Sequence, residues 1–191
     1  MAQNRGKDFE GVIKQAFEKL EDVSIDRLHD QTTGYVGSSN ICDFIVYRYP
    51  YEYYFECKST HSNTFSIHSN PKKDKYGRLK GFYGNISDTQ WNGLSEKQQI
   101  EGVLAGVILW FINKDVTVFI PIEELQRLYD KGIKSVHYSL KDLDNYILLK
   151  GKKKRVFFDY DIESFIDDLD VTTFYFKQNI TPIELESEDN K

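Results

Sequence analysis

Asn40-Ile-Cys-Asp43-Phe-Ile-Val-Tyr47 and, after a turn at Tyr49-Pro50-Tyr51-Glu52, Tyr53-Tyr-Phe-Glu56-Cys-Lys58-Ser-Thr60 decide how this chain folds. Each half is an apolar or aromatic run of strand length that carries an acid at one end, and the turn between them makes an antiparallel pairing natural. Side chains alternate along a strand, so Glu56 and Lys58 share one face while Cys57 takes the other. In a hairpin Asp43 comes near Glu56. Two neighbouring carboxylates need a cation between them, and Mg²⁺ is the expected one.

Outward from this stretch, helices and strands alternate. Phe9, Val12, Ile13, Ala16, Phe17 and Leu20 recur at helical spacing and predict a helix over Arg5 to Leu20. Glu10 lies at the edge of that stripe, where it either leans over the sheet or sits solvated on the rim. Asp26 to Asn40 is rich in Gly, Ser, Thr and Asn and reads as a loop. Ser87-Asp-Thr-Gln90 has the form of a capping box, which predicts a helix from Asp88 to Gln99 with Trp91, Leu94 and Ile100 facing inward and Gln90 in its first turn. Val103 to Ile112 reads as a strand buried on both faces. It turns at Asn113-Lys-Asp115 into Val116 to Ile120, and Pro121 opens a helix that Gly132 ends. Further on, the expectations are a short helix near Leu140 to Asn145, a hairpin pairing Tyr146–Leu149 with Val156–Tyr160, and a helix from Asp161 to Leu169. The order gives an α/β fold with a mixed central β-sheet flanked by helices, organised as one domain over residues 1–183 and an acidic tail over 184–191.

Composition narrows the function classes. The 191 residues include 13 Tyr and 13 Phe, which suits a sheet-built core. Two cysteines, Cys42 and Cys57, are expected on the core side of their strands and point to a reducing compartment. No signal-like or membrane-spanning run occurs, so a cytoplasmic protein without membrane association is expected. The net charge of −5 is unevenly placed: residues 156–191 hold ten acids and two bases, which leaves +3 for residues 1–155. A basic groove in the first part of the chain is therefore compatible with the acidic total. Ser59 to Asn85 contains Lys72, Lys73, Lys75, Arg78 and Lys80 against Asp74 alone. It is either a phosphate-contacting arm or a solvated loop. His29, His61, His68 and His137 lack His-x-x-x-His spacing, so no zinc site is expected, and neither a glycine-rich nucleotide cradle nor a Gly-x-Ser-x-Gly elbow appears.

An acid-x-Lys triplet is weak by itself, since Asp189-Asn-Lys191 repeats it in the tail; a strand-borne triplet opposite Asp43 is more specific. With Asn4-Arg-Gly6 and Glu10 before it and Gln90 after it, this pattern resembles the PD-(D/E)XK nuclease superfamily, and within it the RecU-type Holliday junction resolvases. The likeness covers most of the chain. It departs by lacking the stalk between the first helix and the Asp43 strand, as a stalkless, bacteriophage-like variant would. The resemblance implies a restriction-endonuclease-like core and Mg²⁺-dependent hydrolysis of branched DNA by a homodimer, with Mn²⁺ as a substitute metal and no nucleotide cofactor. It assigns Asp43, Glu56, Glu10 and the Cys57 backbone carbonyl to the metal, Lys58 to the attacking water and Gln90 to support. Arg5, Lys72, Lys73, Lys75, Arg78 and Lys80 are then the DNA-binding candidates. A restriction- or repair-type duplex nuclease, and a DNA-binding recombination module with a residual centre, stay open as alternatives.

Overall fold

The structure is a computed structural model that describes residues 5–28, 40–67, 75–76, 85–155 and 157–178. Helix α1 (Arg5–Phe17) precedes strands β1 (Ser24–Arg27), β2 (Phe44–Arg48), β3 (Tyr51–Thr60) and β4 (Thr64–Ser66). Helix α2 (Asp88–Gln98), strand β5 (Val103–Phe111), a 3-10 turn at Ile112–Lys114, strand β6 (Val116–Pro121) and helix α3 (Ile122–Asp130) follow. The chain continues through β7 (Ser135–His137), β8 (Ile147–Leu148), β9 (Gly151–Lys153) and β10 (Phe158–Tyr160) into α4 (Ile162–Gln178).

Six strands form one mixed sheet in the order β1-β2-β3-β5-β6-β8, in which only β3 and β5 run parallel. The parallel pair is central because a parallel ladder needs a crossover, and α2 supplies it. All nine residues of β5 are buried, as its unbroken apolar run requires. Gly106 allows the tight contact with β6: a Cβ there would lie 2.8 and 2.9 Å from Phe119 ring carbons and would also overlap the Ile120 carbonyl.

Each face of the sheet has its own core. On one, Phe9, Ile13 and Phe17 of α1 and Phe165, Ile166 and Leu169 of α4 cover Phe44, Tyr53, Phe55 and Cys57. On the other, Leu94 of α2 and Ile122, Leu125 and Leu128 of α3 cover Tyr54, Val107 and Leu109. Strand alternation thus sends Cys57 towards α1 and α4, and Glu56 and Lys58 towards α2.

Tertiary pairing corrects several sequence-based boundaries. Ser24 to Arg27, half of it inside the stretch read as loop, is an edge strand on β2. The stretch after Lys58 begins not as loop but as the end of β3, and then β4, which pairs with β7. No helix forms at 140–145. Leu140 adopts φ 57°, and the buried Glu124 takes the Asp144 N–H at 2.7 Å while Arg127 donates to the Asp142 carbonyl at 2.8 Å, which holds these residues as turns. The expected hairpin shifts as well: β8 joins β6, and β9 pairs with β10. Helix α4 runs on to Gln178 because Leu169 and Thr173 continue its buried stripe. Ile100, expected inside, is 49% exposed just past α2. The tail at 184–191 lies outside the described residues, among which no helix is long and apolar enough to cross a membrane.

Candidate active site

The β2–β3 register sets Phe44 opposite Phe55, and the Asp43 N–H continues the ladder to the Phe55 carbonyl at 3.0 Å. Asp43 therefore stands at the end of β2 beside Glu56. Its Oδ2 accepts the Cys57 backbone N–H at 2.7 Å, which ties the first carboxylate to the strand that carries the second. Two carboxylates thirteen residues apart in sequence become neighbours because β2 and β3 form a tight antiparallel pair.

Glu56 is 2% exposed. Its Oε1 accepts from Lys58 Nζ at 2.5 Å and from Gln90 Nε2 at 2.6 Å, whereas the buried Oε2 has no hydrogen-bond partner among the described residues. Burial raises the Glu56 carboxyl and the nearby Asp43 charge raises it further; Lys58 opposes both, and the result is about 7. One lysine evidently does not balance the negative charge gathered there.

Gln90 reaches Glu56 because of how α2 begins. Ser87 caps the helix, its Oγ accepting from the Gln90 N–H, and Gln90 Oε1 in return takes the Ser87 N–H at 3.0 Å. Closing this capping box directs the remaining half of the Gln90 amide, Nε2, at Glu56.

Glu10 sits where α1 passes the ends of β1 and β2 and is ion-paired with Arg27 of β1. Burial and the charge of Asp43 raise its pKa, with Arg27 pulling the other way. Of the two readings open for Glu10, the structure gives a third arrangement: partly buried, electrostatically coupled to Asp43, and held by an arginine. Arg27 is not among the candidates that sequence reasoning selects. The available signal is Ile25-x-Arg27 at strand alternation, obscured by the polar residues after it.

Both thiols are held protonated. Burial, then Glu56 and Asp43, push Cys42 up to about 12, and burial above all raises Cys57 well beyond its ordinary value. Neither can supply a thiolate at neutral pH. Of the proposed DNA-contacting residues, Lys75 is exposed with its Nζ 4.9 Å from the Tyr76 ring centroid. Lys72, Lys73, Arg78 and Lys80 lie outside the described residues, and the side chain of Arg5 does too.

Among the described residues, no three His, Cys, Asp or Glu side chains form a ready-made metal cage. The donors at hand, two neighbouring carboxylates and the Cys57 backbone carbonyl, instead suit a hard cation that keeps much of its water. The bare Oε2 of Glu56 and its raised pKa are what such a cation would relieve. Soft or zinc-type ligation has no support in this donor set.

No family model and no curated protein matches the sequence. Among solved structures the fold is similar to Hjc, a Holliday junction resolvase from the archaeal hyperthermophile Archaeoglobus fulgidus, with 14% identity and a TM-score of 0.37 over 64% of this chain and 78% of that one. At that level of likeness, any reading of function rests on the site's own geometry.

Proposed function

We propose that this chain is a divalent-metal-dependent endodeoxyribonuclease of the PD-(D/E)XK type, acting on branched DNA as a homodimer in the manner of the RecU-type resolvases its sequence resembles. The observation that carries the hydrolytic reading is the state of Glu56: buried, beside Asp43, with one oxygen held by Lys58 and Gln90 and the other without a partner among the described residues. A structural ion pair would satisfy both oxygens. A metal-binding carboxylate keeps one for the ion.

Asp43, Glu56 and the Cys57 carbonyl would hold Mg²⁺, or Mn²⁺ in its place, with Glu10 behind them. The bound ion supplies Lewis-acid stabilisation of charge on the phosphate. Lys58 lies at the mouth of the pair, about a quarter exposed, with its ammonium on Glu56. From there it orients the attacking water and offsets charge on the phosphoryl oxygens. Water oxygen bonds to phosphorus and sheds its proton to solvent as the bond to the 3′ oxygen breaks, and that oxygen takes up a proton from solvent as it leaves, giving a 5′-phosphate and a 3′-hydroxyl. Gln90 keeps Glu56 in one rotamer, so the carboxylate need not reorganise during the reaction.

The test is a substrate panel of four-way junction, fork, plain duplex and single strand, each with Mg²⁺, Mn²⁺ or EDTA. Metal-dependent nicking is expected for the native chain and should vanish in Asp43→Asn, Glu56→Gln and Lys58→Ala, all of which still bind DNA. Persistent Mg²⁺-dependent cleavage by Glu56→Gln defeats the proposal. Paired symmetric nicks on the junction select the branched-DNA reading, and equal cutting of plain duplex selects a restriction- or repair-type enzyme.

A further inference from the structure

Far along the chain from the carboxylates, Lys150-Gly-Lys-Lys-Lys-Arg155 places five cations in six residues, and every one of the six is exposed. It forms β9 and the turn of a hairpin with β10, in the register Lys153 to Phe158 and Gly151 to Tyr160. Lys153 pairs with Asp115, and Lys154 lies 3.4 Å from Asp159, which Lys19 also contacts. Lys150, Lys152 and Arg155 have no carboxylate partner among the described residues. The ribbon therefore retains net positive charge in a chain that is acidic overall.

The hairpin is firmly set. The Asp161 N–H donates to the Lys150 carbonyl at 2.9 Å and the Lys154 N–H to the Phe157 carbonyl at 2.7 Å, closing it at base and turn. Tyr160 and Thr117 share a buried hydrogen bond of 2.9 Å that fastens β10 to the main sheet. Gly151 is required by the close pairing, since a Cβ would fall 2.6 Å from the Asp159 carbonyl oxygen and 2.9 Å from Tyr160 Cα. At the hairpin's turn Phe157 packs on Trp110 with centroids 5.6 Å apart, and Trp110 on Phe9 at 5.5 Å. Phe9 adjoins Glu10. A short aromatic stack thus links the basic ribbon to the helix that carries the site's third carboxylate.

We infer that the Lys150–Arg155 hairpin is a docking ribbon for the phosphodiester backbone of DNA, contacting strand outside the cleavage site. The hydrolase reading above supplies only the identity of the partner; the charge and the rigid presentation come from the hairpin itself. Duplex DNA carries a charge about every 1.7 Å of axis, a density that a run of adjacent cations can meet. A membrane surface fits less well, because residues 150–155 include no apolar side chain to enter a bilayer.

The experiment measures equilibrium binding of a fluorescent four-way junction and a duplex by anisotropy in EDTA, across a salt series, with cleavage assayed separately in Mg²⁺. Combined Lys150→Gln, Lys152→Gln and Arg155→Gln should weaken binding and lower the slope of log K against log salt by about 0.9 for each phosphate that is no longer neutralised. Lys150→Arg, Lys152→Arg and Arg155→Lys, which preserve charge, should retain affinity and slope. Lys131→Gln, Lys134→Gln and Lys141→Gln impose the same change in net charge away from the hairpin and should leave the slope unchanged. An unaltered slope in the first variant overturns the inference, as does equal weakening in the third, or binding by the native chain to phosphatidylserine vesicles with none to DNA. Weakened binding in the first variant alone, from a native chain that cuts nothing, leaves the ribbon standing and removes the nuclease reading.

Discussion

The Gln90 side-chain amide joins the cap of α2 to the buried carboxylate of β3: its Oε1 accepts the Ser87 N–H and its Nε2 donates to Glu56 Oε1 at 2.6 Å. A residue that a capping box would demand on local grounds alone thereby also orients the buried Glu56 carboxyl, which burial and Asp43 raise to about 7. Gln90→Ala should cost about 1 kcal/mol of stability through the cap. Released from its rotamer, Glu56 should also support slower turnover, by roughly 10- to 100-fold in kcat at nearly constant KM. Steady-state kinetics beside thermal melts separate the two effects. A fall in stability with kcat unchanged would confine Gln90 to the helix cap.

Glu56 makes the metal-free protein lose stability as pH rises. Its folded-state pKa of about 7 lies above the ordinary 4.5, so between those values the native state binds the extra proton. Stability from this group is complete below about 4.5 and is lost as pH climbs through 7, by roughly 3 kcal/mol in all. In EDTA, Glu56→Gln should therefore melt higher than the native chain at pH 8 and about level with it at pH 4.5. Added Mg²⁺ should raise the native melting temperature at pH 8 and leave that of Glu56→Gln nearly unmoved.

Glu124 behaves with the opposite sign. Burial alone would raise it, but the paired bonds from Arg127 and the Asp144 N–H outweigh burial and leave it below its ordinary value. Its contribution is present above the unfolded pKa and disappears as pH falls through the folded one. Glu124→Ala should destabilise by about 3 kcal/mol, since the 140–145 turns lose their anchor and Arg127 its partner. Denaturant unfolding at pH 7 and pH 3.5 should show the difference from native shrinking at the lower pH.

Gly106→Ala tests the sheet under the site. The added methyl would meet Phe119 and the Ile120 carbonyl, so β5 and β6 must part, at a cost of about 3 kcal/mol. Because β5 is the parallel neighbour of Glu56 and Lys58, cleavage should fall together with the melting temperature. Full activity in a strongly destabilised Gly106→Ala would show that the carboxylate pair does not depend on that strand.

Local pattern was enough to determine much of this protein. The apolar stripe of α1, the Ser87–Gln90 box, the unbroken run of β5, Pro121 before α3 and the β2–β3 turn each act within a few residues, where propensity, capping and alternation dominate. From those the neighbouring acids Asp43 and Glu56 and their face-mate Lys58 were legible, because strand periodicity alone puts the last two together. Other features required the folded chain. Ser24 to Arg27 becomes a strand only against β2, and Arg27 meets Glu10 only because that edge strand runs under α1. Residues 140–145 are kept from helix by bonds to Glu124 and Arg127, and Ile147 turns away from its sequence neighbours to pair with Phe119. Partners so distant in sequence leave no periodic trace in the intervening residues. In the same way, the sequence alone established that Glu56 is an acid at strand spacing from a lysine. That one of its oxygens is buried and bare was decided by the layers closing over it, since solvation is a property of the packed whole.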